Sequence, residues 1–334
     1  MAIQNRYEFM FYIQCINGNP NGDPDMGNSP RMDPEDMHGY ITDVAIKRRI
    51  RNYIQSAFEG QDGMSIIMQN ATIINKTIAQ LKEKANLEFG DKKPATIIKA
   101  RQEACAMYYD VRTFGAVLST GPNAGQVRGP VQITFARSVD PILPLDISIT
   151  RVCVTDTEKA KKSKSAIEYE IAESNEDIDS LRTMGRKQFI SYGLYEVRGF
   201  ISANLAAETG FDDADLKALF EAILNMYEHD RSASKGEMSV ISPLIIFKHI
   251  GTDSDDTQRA RQAKLGCAPA HKLFELVNIG KKPEIEFPRS YQDYDCTIRL
   301  SGVPKGVEVG FMENPFDDIS WGELPDGNDW MHFV

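Results

Sequence analysis

The chain has 334 residues, of which 42% are hydrophobic and 26% charged. A chain of that length buries about 75% of its extended surface without covalent staples, and the composition excludes a collagen, a coiled coil or a wholly disordered protein. The net charge of −10 argues against a nucleic-acid partner only until its distribution is read.

From Gly306 onward there are seven acids (Glu308, Glu313, Asp317, Asp318, Glu323, Asp326, Asp329) and no Lys or Arg. The bases gather elsewhere: Lys47, Arg48, Arg49 and Arg51; then Lys159, Lys161, Lys162 and Lys164; then Arg182, Arg186 and Lys187. Segregated charge of this kind points to a track for phosphates rather than an evenly solvated surface. No apolar run reaches the ~20 residues of a membrane span, and Met1–Tyr7 shows no secretory leader. The five cysteines are scattered without a C-x-x-C pair. Reduced thiols and a cytoplasmic location are therefore expected.

In chain order, Tyr7, Phe9, Phe11, Ile13 and Cys15 alternate as in a strand, and apolar residues on its second face predict a central position. Residues 17–39 are dense in Asn, Gly, Pro and Asp and predict a loop without regular elements. Thr42 or Asp43 offers an N-cap. Ile46, Ile50, Ile54 and Phe58 then form one helical stripe, with Lys47, Arg48 and Arg51 on its flank. Residues 59–129 read as an insertion carrying two helical patterns, Ile74, Ile78, Leu81 and Ile98, Cys105, Tyr108. Val131, Ile133, Phe135 and Leu145, Ile147, Ile149 alternate as two strands. Residues 159–179 are charged and unpatterned, the profile of a projecting arm. A glycine-containing strand from Phe189 to Leu205, a helix from Asp212 or Asp213, a buried strand at Val240–Ile250 and a late strand at Tyr294–Leu300 complete the pattern. The order strand, helix, strand, strand, helix, strand is the α+β ferredoxin-like plan that also underlies RNA-recognition domains.

The catalytic motifs are weak. Asp23, Asp25, Asn28 and Asp33 lack the Gly position of a calcium loop. Gly121 and Gly125 lack the Lys-Ser/Thr ending of a phosphate loop. The five histidines show no metal-ligand spacing, although His38 offers a general base. No cofactor motif is present and none is expected. The aromatic strand motif of RNA-recognition domains is also missing, so an RNA would be gripped by its backbone.

Several strings, in this order, resemble one family. They are Asn19-Pro20-Asn21-Gly22-Asp23-Pro24-Asp25, Gly39-Tyr40-Ile41-Thr42-Asp43 running into Lys47-Arg48-Arg49-Ile50-Arg51, and Asp110-Val111-Arg112-Thr113-Phe114-Gly115. Arg128-Gly129-Pro130-Val131-Gln132, Met184-Gly185-Arg186-Lys187 and Gly199-Phe200-Ile201-Ser202-Ala203 follow. Over residues 3–250 the chain resembles the backbone subunit of the type I CRISPR surveillance complex Cascade, the seventh Cas family, with subtype I-C the nearest pattern. The resemblance implies a hand-shaped RAMP fold. An RNA-recognition-like palm would comprise 1–58, 130–155 and 186–250, with a finger insertion at 59–129, a thumb at 156–185 and a C-terminal extension at 251–334.

It also implies a non-catalytic role in antiviral defence: copies stack head to tail on a CRISPR guide RNA, beside other Cascade subunits, and present it to a target DNA strand. Thr42, Lys47, Arg48 and Arg51 would hold guide phosphates. Phe114, Gly115, Arg128, Gly129 and Gln132 would line the same groove. Met184 would be a wedge at guide kinks, with Arg186 and Lys187 on the neighbouring phosphates. The competing reading is a metal-dependent ribonuclease using an acid of the 23–36 loop, Asp33 or Asp36.

Overall fold

The computed structural model describes residues 1–88, 90, 93–153, 164–168, 183–325, 328 and 330–334. The first elements are β1 (Tyr7–Gly18), the short pair β2 (Gly22–Asp23) and β3 (Ser29–Pro30), β4 (His38–Ile41) and α1 (Asp43–Ala57). Next come α2 (Ile74–Lys84), α3 (Pro94–Met107), α4 (Tyr109–Phe114), the hairpin β5 (Gly115–Leu118) and β6 (Gly125–Arg128), β7 (Val131–Ile133), β8 (Ala136–Pro141) and β9 (Pro144–Arg151). The remainder holds β10 (Thr183–Ile201), α5 (Ala203–Thr209), α6 (Asp213–Asn225), β11 (Glu237–His249), α7 (Asp256–Leu265) and α8 (Ala270–Phe274). It ends with β12 (Val277–Lys281), β13 (Tyr294–Ile298), β14 (Val307–Met312), β15 (Ser320–Trp321) and β16 (Met331–Phe333).

β1 lies between β10 and β11 and is antiparallel to both. β10 pairs antiparallel with β7, β8 and β9 on its other side. The strands β11, β1, β10 and the β7–β9 group, with α1 after β1 and α5–α6 after β10, reproduce the ferredoxin-like order. β14 and β15 extend the sheet at one edge and β4 at the other.

Both faces of β1 are buried because side chains alternate along a strand. Phe9, Phe11, Ile13 and Cys15 pack with Ile46, Ile50 and Ile54 of α1 and Leu219, Phe220 and Ile223 of α6. Met10 and Tyr12 face a second core made by Phe274, Tyr294, Cys296, Ile298 and Trp330. That second layer is a small sheet in the order β12, β13, β16. Residues 59–129 carry a third cluster, where Ile78 and Leu81 of α2 meet Ala100, Ala104 and Cys105 of α3.

Several expectations are corrected. The 17–39 segment holds β2, β3, a 3-10 turn at Pro24–Met26 and the start of β4; Asn19 Nδ2 donates to Asn28 O at 2.6 Å and knits it together. Ile98 is 47% exposed and drops out of its expected stripe, while Cys105 and Tyr108 are buried as expected, beside Ala100 and Ala104. Phe135 lies outside the strands, half-exposed and stacked on Tyr40. Leu205 belongs to α5, because Ser202 caps a helix there. Leu300 opens a 3-10 turn rather than ending a strand. The charged arm at 159–179 lies outside the described residues, apart from 164–168.

Buried ion pairs join the insertion to the sheet domain. Arg112 grips Asp215 of α6 with two bonds, 2.8 Å from Nε and 2.6 Å from Nη2. Its Nη1 donates to Cys105 O and its Nη2 to Gly63 O. Asp215 also accepts from Asp212 N and completes the α6 capping box. Breaking a buried pair strands a charge. Asp215→Ala is expected to lower the unfolding free energy by about 3–5 kcal/mol, read as a fall in the urea midpoint, whereas Thr42→Ala at the α1 cap costs about 1 kcal/mol.

Candidate nucleic-acid interface

A cleft of about 870 Å³ opens between α3, the β5–β6 hairpin, β7 and the end of α5. Its floor includes Cys105, Phe114, Gly129 and Thr209, all buried. Its rim carries Arg101, Gln102, Gln126, Arg128, Gln132 and Glu208, all exposed. The floor is shaped by two glycines. Gly115 has φ +80°, and a Cβ there would overlap the Val127 carbonyl and the Gly129 amide. A Cβ on Gly129 would overlap the backbone of Phe114 and Gly115. Backbone approaches this close admit only glycine.

Phe114 links the cleft to α1. The Lys47 ammonium sits 5.7 Å and the Arg51 guanidinium 5.2 Å from its ring centroid, both within cation–π range. Both cations are also paired: Lys47 with Asp43 at 3.0 Å, and Arg51 Nε with the buried Asp110 at 2.9 Å. Asp110 accepts from Ile67 N and Met68 N as well. Arg51 therefore anchors the insertion whatever else it touches. Phe114, Gly115, Arg128, Gly129 and Gln132 thus line one cleft, and Lys47 and Arg51 lie against its Phe114 ring rather than in its lining.

The other expected site residues lie elsewhere. Thr42 caps α1, accepting from Ala45 N and donating its hydroxyl to Asn21 Oδ1 at 3.0 Å. Arg48 is exposed on α1 with no partner among the described residues. Met184, Arg186 and Lys187 lie on the ribbon formed by β9 and the first half of β10. Met184 is 75% exposed. Arg186 reaches Asp146 at 3.5 Å across the ribbon, while Lys187, on the opposite face, donates to Ala233 O. Tight packing of that ribbon against the 230–236 turn continues through Arg49, which holds Asp230, and Lys235, which donates to Pro20 O at 2.9 Å.

Sequence reasoning did not single out Arg101, Gln102, Gln126, Glu208 and Thr209. They come from separate elements that only the tertiary fold brings together, and no local motif marks them. The competing loop acids are engaged: Asp36 with Arg137, Asp33 with Glu35 N, and Asp23 with Arg31. The His38 amide holds the Asp36 carboxyl below its usual range, with Arg137 adding to the effect. The His38 ring Nδ1 is bonded to Ser138 O at 2.7 Å. Among the described residues no group of three or more His, Cys, Asp or Glu side chains is placed to hold a metal ion. No described helix is long and apolar enough to cross a membrane.

A family model described as "CRISPR-associated protein Cas7" matches residues 5–299. The chain belongs to that family. A relative from Haloferax volcanii named CRISPR-associated protein Cas7 is 26% identical over 246 residues. The match covers 66% of this chain and 63% of the length of that relative. Among solved structures, a chain of a "CRISPR RNA-guided surveillance complex, pre-nicking" aligns with a TM-score of 0.46 and 13% identity, over 79% of this chain and 83% of its own. A second, from a "CRISPR RNA-guided surveillance complex", gives 0.40 and 12%, over 81% and 80%.

Burial and the nearby Arg49 push the Lys235 amine down from 10.5 to about 8. Between those values the unfolded chain holds a proton that the folded chain lacks, so this residue makes stability rise with pH. Urea midpoints at pH 7.5 and 9.5 check it. The change for the unaltered protein minus that for Lys235→Gln is expected to be positive, which separates Lys235 from buried thiols such as Cys15 that act in the opposite sense.

Proposed function

We propose that this Cas7-family protein is a non-catalytic backbone subunit that coats a CRISPR guide RNA and presents it to a target DNA strand. Copies would stack head to tail, with the subtype I-C form of Cascade as the setting and the cytoplasm as the place. The observation that carries the reading is the cleft itself. Glycine backbone, amide side chains and Arg101 and Arg128, which have no ion-pair partner among the described residues, line it together, which is chemistry for holding a sugar-phosphate chain without choosing its sequence. The exposure of Met184 near the end of the β9–β10 ribbon supports the wedge role. The separate small core of 59–129 supports reading that insertion as fingers beside the palm, while the thumb at 156–185 lies mostly outside the described residues. Thr42 then contributes through the α1 terminus, Arg48 and Arg186 through exposed charge, and Gln132 through its free amide oxygen.

A head-to-tail interface does not close on itself, so the guide's length sets the number of copies. Sequence choice passes to base pairing, and the protein needs only a uniform grip. The ribonuclease reading gains nothing from the loop acids, which are tied to Arg137 and Arg31.

Fluorescence anisotropy with single-stranded RNA across a salt series tests the proposal. Arg128→Ala is expected to weaken binding equally for unrelated sequences and to reduce the slope of log K against log salt by about 0.7 per lost phosphate contact. Arg51→Ala is expected to lose both binding and several degrees of thermal stability, because it also strands Asp110. Binding to Arg128→Ala with an unaltered affinity and slope would remove the grip from this cleft. RNA cleavage that needs a divalent metal and disappears in Asp33→Ala would replace the scaffold with an enzyme.

A further inference from the structure

A second cavity, of about 320 Å³, opens between α6 and the segment that leads into β15. That volume lies at the small end of ligand sites, roughly 300–1,000 Å³, room for a short chain. Its walls are apolar, with Leu216 and Phe220 on α6, Met312 on β14, and Ile319 and Trp321 across from them. Its rim carries three carboxylates, Asp213 on α6 and Asp317 and Asp318 on the facing segment, against one ammonium, Lys217. Lys217 is bonded to Asp318 at 3.1 Å. Asp213 and Asp317 have no ion-pair partner among the described residues. The Lys248 ammonium lies 5.3 Å from the Trp321 ring centroid. Two of the chain's own ammonium groups therefore already meet this acidic, aromatic rim, through a carboxylate and through a ring face.

Tyr7 adds an independent observation. It lines the cavity, is 5% exposed, and its hydroxyl has no hydrogen-bond partner among the described residues. Tyr7, Lys248 and Glu308 form one row across β1, β11 and β14. Burial, with the negative charge of Asp213 and Glu308, pushes the Tyr7 phenol up to about 12. It is therefore neutral at physiological pH, and its oxygen accepts as well as donates. Leaving a buried hydroxyl unpaired is costly, and a donor entering beside it removes that cost.

These features select a ligand class. Carboxylates on two facing walls favour a cation at each end, and the apolar floor between them favours a hydrocarbon stem. An anion is repelled. A magnesium ion keeps several of its waters and gains nothing from the floor. We propose that this cavity binds a linear aliphatic polyamine, with one ammonium donating to Tyr7 Oη and Asp213, the methylene stem against Leu216, Phe220 and Met312, and a second ammonium at Asp317. The site shares no lining residue with the cleft between α3 and α5, so it stands apart from the RNA-binding reading.

Saturation-transfer NMR on the full chain, freed of nucleic acid, tests it with cadaverine as the probe. The methylene protons are expected to receive saturation. Pentylamine, which lacks the second ammonium, is expected to bind at least threefold more weakly. Tyr7→Phe removes only the unpaired hydroxyl. The site predicts at least threefold weaker cadaverine binding without a fall in melting temperature, whereas a purely structural hydroxyl leaves the affinity unaltered. Asp213→Asn alters an exposed position outside the Asp212–Asp215 capping box, so the fold is kept, and a loss of similar size is expected. Exchanging sodium for magnesium at constant ionic strength is expected to change the affinity less than twofold. No transfer, an unaltered affinity in either variant, pentylamine binding as tightly as cadaverine, or displacement by magnesium would overturn the site, the last reducing it to an unselective acidic patch.

Discussion

β1 has no solvent face, and the rest of the molecule follows from that. Its odd-numbered residues need a helical layer and its even-numbered residues need a second cover. α1 and α6 supply the first. The C-terminal segment supplies the other, through Phe274, Tyr294, Trp330 and Met331. Gly199 belongs to the same constraint, since any Cβ there would enter the Phe9 ring across the ladder. Truncating a buried Phe of this kind typically costs 3–5 kcal/mol, a large part of a domain's net stability.

Covering β1 on both sides also fixes how charge is used. Glu8 is carried into the interior by the strand, where it accepts from Arg6 Nε at 2.7 Å and meets His249 Nε2 at 2.7 Å. Cys267 N donates to His249 Nδ1, which assigns the ring proton to Nε2. The same economy appears on α1. Lys47, Arg49 and Arg51 are each matched by an aspartate, Asp43, Asp230 and Asp110. Much of the basic cluster therefore holds elements together. Arg48, Arg101 and Arg128 are exposed and have no ion-pair partner among the described residues, and the field they make depends on where they stand more than on how many bases the sequence contains.

The layer order was legible because strands and helices alternate with clear periodicity. β1, α1, α6 and β11 all fall where their apolar spacing puts them. The α1 cap was legible too, since Thr42 precedes the stripe. Harder to read was the 17–39 segment, where isolated two-residue strands are held by side-chain amides such as Asn19 and Asn21 rather than by any periodic pattern. α3 misled for a different reason: it packs through Ala100 and Ala104, and small residues carry little signal against Ile98. The charge of the acidic C-terminal stretch said nothing of its packing. Phe311, Met312, Trp330 and Met331 are buried, so much of it is built into the cores.

The string Asp110–Gly115 shows how a motif and its chemistry come apart. Read as sequence, it marks a groove. In the fold all six side chains of α4 are buried, and two are charged. Asp110 holds Arg51 and the 67–68 backbone; Arg112 holds Asp215, Gly63 and Cys105; Phe114 sits under Lys47 and Arg51. Most of the string therefore sets the position of the insertion relative to α1 and α6, and only its Phe-Gly end reaches the cleft. The proposed grip on RNA would depend on placement of this kind. A cleft whose walls come from α3, β5–β6, β7 and α5 keeps its shape only if the insertion is fixed to the sheet, and the bidentate Arg112–Asp215 pair gives a directional, water-excluded contact for that purpose.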